Sequence, residues 1–117
     1  MTKLKLTKDK FKAIIQVIDS QRFQLKKNKF TLKDWPLAVV NAHLDVLDDL
    51  SRRMRSKLPM IEDKPGNHPI RYEINSIQAL ILMSYNELVN PTSPGMDPFA
   101  YSIFNEISAP LFQKLLS

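Results

Sequence analysis

The densest group of potential ligand side chains lies between residues 43 and 49, where three aspartates stand close together. Asp45, Asp48 and Asp49 are three or four residues apart, so on a helix their carboxylates share one face. Carboxylate oxygens are the ligands that Mg²⁺ and Ca²⁺ prefer. The same spacing is typical of the wet side of an amphipathic helix, and His43 belongs to the opposite, apolar side. We therefore predict no metal site here, and we expect His43 to be a neutral, hydrogen-bonded core residue.

His68 is the second residue whose surroundings could support chemistry. It follows Glu62 and Asp63 in a proline-rich stretch, and a carboxylate can tune a nearby histidine as a general base. Three prolines within residues 59–69 favour a plain connecting loop instead. The chain has no cysteine and only two glycines, which excludes disulfides, thiolate nucleophiles and glycine-rich phosphate loops. It also contains no recognised catalytic motif, so we predict no catalytic residue, no metal and no cofactor.

Basic residues are concentrated in the first half of the chain. The formal net charge is +5, but residues 1–58 hold 14 basic and 6 acidic side chains, against 3 and 6 in residues 59–117. If the first two helices are antiparallel, residues 3–12 lie beside residues 52–57 and form a basic pole that attracts phosphate-rich partners. The candidate anion or nucleic-acid patch consists of Lys8, Lys12, Arg52, Arg53, Arg55 and Lys57. The alternative is an ordinary solvated surface whose cations complement a helix dipole, and no nucleic-acid-binding signature is present.

Helical periodicity predicts the elements that must position these side chains. Apolar residues recur at helical spacing over about 8–27, from 35 or 36 to 58, over 70–89, and from 97, with Pro110 kinking the last helix or starting a fifth. The third helix would bury a stripe that runs from Ile70 through Ile74, Ile77 and Ile81. Residues 1–6 alternate only briefly and are expected to fray. Residues 59–69 and 90–98 are expected to be loops with Pro-Gly type II turns. The predicted fold class is therefore all-α, a single domain over residues 1–117 with a bundle of four or five helices.

Several large apolar residues fall outside the inward faces of these helices. Exposed apolar patches mark contacts with other chains, so the candidate interface consists of Phe23, Leu82, Met83, Tyr101, Phe112 and Leu116. The longest apolar run, 79–83, is far short of the roughly 20 residues that a membrane span needs. Lysines also interrupt every candidate signal sequence near the start. We expect a cytoplasmic protein with no membrane association.

These observations favour a binding protein over an enzyme. The leading interpretation is a small non-catalytic helical protein-interaction module or assembly subunit, whose partner is a protein, either a further copy of itself or another chain. A homo-oligomer is expected because apolar helix surface is in excess. The alternative is a nucleic-acid-associated accessory protein that binds through the basic pole.

Overall fold

A small antiparallel sheet and three helices make up most of the described chain. The computed structural model describes residues 2–28, 36–85, 102 and 104–106. Within them the elements follow the order β1 (Thr2–Leu6), α1 (Lys8–Asn28), α2 (Leu37–Glu62), β2 (Ile70–Ile74) and α3 (Ser76–Ser84). The chain is therefore mostly helical, as predicted, but it is not purely α. None of the helices described is long and apolar enough to cross a membrane.

Helices α1 and α2 form an antiparallel pair that carries most of the core. Thr7 caps α1, because its Oγ1 accepts a hydrogen bond from the Lys10 N–H at 3.3 Å. The order of the contacts shows that the helices are antiparallel. Lys12, near the start of α1, meets Glu62 at the end of α2, and Arg22, later in α1, meets Asp48, earlier in α2. Most of the apolar residues predicted to face inward are buried, among them Phe11, Ile14, Ile18 and Leu25 in α1, and Val40, Leu44, Leu47, Leu50 and Met54 in α2. Leu37, predicted to belong to this face, is 42% exposed.

Helix α2 continues four residues beyond its predicted end at residue 58. Pro59 lies inside it and cannot donate a backbone hydrogen bond, which normally weakens or kinks a helix. Tertiary contacts hold the last turn in place. Ile61 is buried, and the Glu62 carbonyl accepts a hydrogen bond from Lys8 Nζ at 3.1 Å. The prediction of a loop over 59–69 is therefore wrong for its first four residues.

The remaining connection contains a turn that differs from the predicted one. The His68 N–H donates to the Pro65 carbonyl at 3.0 Å, so Pro65 is the first residue of the turn and not the second. Gly66 has no positive φ, which a type II turn would require at that position. The second predicted loop, 90–98, lies outside the described residues.

Strand β1 pairs with β2, and this corrects two predictions. Leu4 lies opposite Tyr72 in the antiparallel register, so residues 2–6 are not a frayed end and residues 70–74 are not helical. Burial alternates along β2, with Ile70, Tyr72 and Ile74 buried and the two residues between them exposed. The isoleucine spacing fits a helix as well as a strand, and only the pairing with β1 decides between them.

Helix α3 is short and begins with a capping box. The Asn75 side chain accepts from the Gln78 N–H at 2.7 Å, and the Gln78 side chain accepts from the Asn75 N–H at 2.9 Å. Its buried face contains Ala79, Ile81 and Leu82, so Ile81 of the predicted stripe is buried, whereas Ile77 is 64% exposed and the prediction is wrong at that position. Of the predicted fourth helix, residues 102 and 104–106 are described and helical, and the rest lies outside the described residues.

Candidate functional site

Arginine side chains engage two of the three clustered aspartates. Arg22 Nε lies 2.5 Å from Asp48 Oδ1, and Arg53 Nε lies 2.7 Å from Asp49 Oδ2. Asp45 is exposed on the same side of α2. Among the described residues, no group of three or more potential ligands is arranged to hold a metal ion. The cluster therefore behaves as the charged, wet face of α2 and offers no evident coordination site.

His43 has the environment that its position in the apolar pattern predicts. It is half-buried, and its Nδ1 forms a 2.5 Å hydrogen bond with the hydroxyl of Tyr85, the residue that follows α3. The two rings meet edge to face at 5.5 Å between centroids. Burial lowers the pKa of His43 and raises the pKa of Tyr85, so both side chains are held neutral. The predicted hydrogen bond of His43 is present, but the side chain is half-buried and not part of the core, so the prediction of a core residue is wrong.

His68 is exposed in the turn after α2. The carboxylate of Glu62, which could have tuned it, contacts Lys12 Nζ at 2.7 Å instead. That contact, together with the charge of Lys8, holds the pKa of Glu62 below its usual value. The geometry therefore gives His68 no general-base arrangement with this carboxylate.

The six cations of the candidate patch each have a partner within the chain. Lys8 and Lys12 lie beside the end of α2 as predicted, and both contact Glu62. Arg52 and Arg53 both pair with a carboxylate of α2, Asp49. Arg55 contacts the carboxylate of Asp19 in α1. Lys57 lies over the ring of Tyr72, with its Nζ 5.1 Å from the ring centroid. Three carboxylates are thus interleaved with the six cations, which lowers the positive potential that a phosphate would meet.

Asp19 is the centre of the polar contact between α1 and α2. Its Oδ1 accepts from Ser51 Oγ at 2.7 Å and from Arg22 Nη1 at 2.9 Å, and its Oδ2 accepts from Arg55. Burial alone would raise the pKa of this carboxyl. The hydrogen bonds from Ser51, Arg55 and Arg22 outweigh burial, so the pKa of Asp19 lies below its usual value. A negative charge is therefore fixed at one position on the helix pair.

An apolar groove of about 620 Å³ lies beside this charge, between α1 and α2. Ile15, Phe23 and Leu58 supply its apolar surface, and Lys12 and Arg55 supply charge at its rim. The lining residues of α1 recur every three or four positions from 12 to 23, which corresponds to a groove roughly 16 Å long.

A buried hydroxyl without a partner also lines the groove. Ser20 is 6% exposed, and its Oγ has no hydrogen-bond partner in the described part of the chain. The Oγ is enclosed by the chain, so this unsatisfied group costs the fold about 1–3 kcal/mol and offers no contact to an occupant of the groove.

The candidate interface residues fall into three groups. Phe23 is 55% exposed at the groove, as an interface residue must be, and Met83 is half-buried. Leu82 is in the core, where its carbonyl accepts a hydrogen bond from Gln21 Nε2 at 3.0 Å, so it contributes nothing to an exposed surface. The other candidates, Tyr101, Phe112 and Leu116, lie outside the described residues.

Sequence patterns did not predict four further exposed apolar side chains, which are Leu37, Met60, Ile77 and Leu80. Met60 belongs to the part of α2 that was predicted to be a loop, and Ile77 was assigned to the buried stripe of the third helix. If residues 70–74 had been assigned to a strand, the helical spacing of the apolar residues would have been counted from Ser76. Ile77 and Leu80 would then fall on the outer face of the helix.

Comparison of the chain with protein-family models, with curated proteins and with solved structures finds no match.

Proposed function

We propose that this chain is a non-catalytic protein-interaction module that holds an amphipathic, acidic helix of a partner protein in the groove between α1 and α2. The observation that carries the proposal is Phe23, a large aromatic side chain left 55% exposed at the edge of an apolar groove. Aromatic side chains beside a pocket are the usual anchors of protein interfaces.

The shape and charge of the groove favour a helix as the occupant. Its length of roughly 16 Å matches three turns of helix, enough for apolar side chains at positions i, i+4 and i+7. The groove walls are helices whose backbone groups are already paired, so an extended strand would gain no backbone hydrogen bonds there. Lys12 and Arg55 at the groove rim favour acidic residues where the partner helix meets that rim.

Binding of nucleic acid through the basic pole is the less favoured proposal. A phosphate would have to share Lys12 and the three arginines with carboxylates of the chain, which lower the positive potential around them. If phosphates do bind, affinity should fall steeply with salt, and replacement of Arg52, Arg53 and Arg55 by alanine should flatten that dependence.

We also propose the finer architectural features that the sequence predicts. The helices would form a four-helix bundle within a single domain, with the segment from about residue 97 as the fourth helix. The absence of cysteine fits a cytoplasmic location for such a module.

A display selection tests the proposed groove. A library of helical peptides is selected against the wild-type chain and counter-selected against Phe23→Ser. Leu80→Ser is the matched control, because Leu80 is an apolar helix residue with nearly the same exposure, 56%. We expect the enriched peptides to share apolar residues at helical spacing and to be acidic. They should bind Leu80→Ser normally and lose at least about tenfold in affinity for Phe23→Ser. Peptides without helical spacing, or equal binding to both variants, would overturn the proposal.

A further inference from the structure

Strand β2 has an open edge. Within the described residues it pairs with β1 on one side only. A cleft of about 420 Å³ is lined by Lys57 and by three consecutive strand residues, Arg71, Tyr72 and Glu73. Consecutive residues of a strand point to opposite faces, so a cleft that touches all three lies alongside the strand. The cleft therefore marks the edge of β2 that faces away from β1.

We propose that β2 pairs antiparallel with β2 of a second copy of this chain, about a two-fold axis at Tyr72. The two sheets then join into one sheet of four strands in the order β1–β2–β2–β1. This interface is separate from the groove between α1 and α2, and it does not depend on the function proposed above.

Charge complementarity selects the second copy as the occupant. In a register with Tyr72 opposite itself, Arg71 lies opposite Glu73 of the second copy, and the two-fold axis repeats the pair. Ile70 lies opposite Ile74 of the second copy in the same register. All apolar residues of β2 therefore stay on the buried side, and the charges lie on the exposed side in two attractive pairs.

The free edge of β1 provides the contrast. The same two-fold arrangement centred on Leu4 would place Lys3 opposite Lys5 of the second copy, and like charges directly opposite are destabilising. Lysines on an edge strand are a common protection against unwanted pairing. The edge of β1 therefore repels a second copy of the chain, whereas the edge of β2 is complementary to a second copy.

The expected association is weak. Each β2 contributes five residues, and an edge of that length buries less than the roughly 1,200 Å² of a stable interface. We therefore expect a dissociation constant in the micromolar range or above. The measurement must extend to roughly millimolar concentration to populate the dimer.

Charge exchange at the two positions tests this pairing by sedimentation equilibrium of the full chain. Arg71→Glu and Glu73→Arg each place like charges opposite each other at both pairs, so each variant should dimerise at least about tenfold more weakly. The double variant R71E/E73R restores both pairs and should dimerise like the wild type. An equimolar mixture of the two single variants should form a heterodimer, because each supplies the charge that the other lacks.

Lys64→Glu is the matched control. It changes the net charge by the same amount as Arg71→Glu, and Lys64 is exposed in the connection between α2 and β2, outside both strands. It should leave the dissociation constant unchanged, as should Phe23→Ser, which tests the groove. Circular dichroism establishes that every variant is folded. A wild-type chain that stays monomeric at millimolar concentration would overturn the proposal, as would single variants that dimerise normally or a mixture that fails to associate.

Discussion

Replacement of Asp19 by asparagine should destabilise the chain at neutral pH and have progressively less effect in acid. The carboxylate links the two longest helices through Ser51, Arg22 and Arg55. Asparagine has nearly the same shape and keeps Oδ1 as an acceptor for Ser51. It removes the negative charge, so the hydrogen bond from Arg22 loses its ionic component, and it replaces Oδ2 by an NH2 donor that cannot accept the hydrogen bond from Arg55.

The expected loss follows from the exposure of the side chain. A hydrogen bond to a charged group contributes about 1.5–3 kcal/mol when buried, and an exposed ion pair about 0–1 kcal/mol. The Asp19 side chain is 26% exposed, which places its two arginine contacts between these limits. We expect asparagine to lower the free energy of unfolding by about 1–2 kcal/mol at pH 7.

The dependence on pH has a definite sign. The folded-state pKa of Asp19 lies below its usual value of 3.8, so the unfolded chain binds the proton more readily than the folded chain. The stabilisation is therefore complete above pH 3.8 and is lost as the pH falls through the lowered pKa. Asparagine does not titrate, so the difference between wild type and variant should shrink below pH 3.8.

Urea unfolding followed by circular dichroism from pH 7 to pH 3 measures this difference. Asp45→Asn is the control, because Asp45 is exposed on α2 and its replacement should cost less than about 0.5 kcal/mol. An effect of Asp19→Asn below 0.5 kcal/mol at pH 7 would refute the account of this network. A difference that stayed constant into acid would refute the role of the charge.

Three further predictions concern the core, the cap of α3 and the buried histidine. Leu47→Ala should lower the free energy of unfolding by about 2–5 kcal/mol, because Leu47 is fully buried, and a thermal midpoint unchanged within 3 °C would contradict the packing. Asn75→Ala should cost about 1 kcal/mol in urea unfolding, since it removes the acceptor for the Gln78 N–H, and an unchanged midpoint would argue against the capping box. Burial lowers the folded-state pKa of His43, so its contribution to stability should be complete above the usual value of 6.5 and decline as the pH falls below it. His43→Gln should remove that decline between about pH 6.5 and 5, and an identical pH profile in the variant would count against the neutral histidine.

Local pattern was sufficient for the two long helices. The residues that form the buried face of each long helix all belong to that helix, so their spacing alone identified both faces. Thr7 was also identified from the sequence as the N-cap of α1. Local pattern also separated His43 from the aspartates of the wet face, because those positions lie on opposite sides of one helix.

The elements that depend on distant partners were not predicted. Strand β2 is stable because β1, more than sixty residues earlier, pairs with it, and no local pattern reports that contact. Glu62 became the partner of Lys8 and Lys12 only because α2 continues through Pro59. The prediction of the basic pole therefore did not anticipate the carboxylates that contact these cations.

Competition between a selected helical peptide and a short DNA duplex tests the central proposal most directly. Fluorescence anisotropy follows the labelled peptide on the wild type, on Phe23→Ser and on Leu80→Ser, with unlabelled duplex added at low and high salt. We predict that the peptide binds the wild type and Leu80→Ser alike, loses at least about tenfold in affinity for Phe23→Ser, and is not displaced by the duplex. Displacement by the duplex at low salt, or equal affinity for all three proteins, would contradict the assignment of the groove as a protein-binding site.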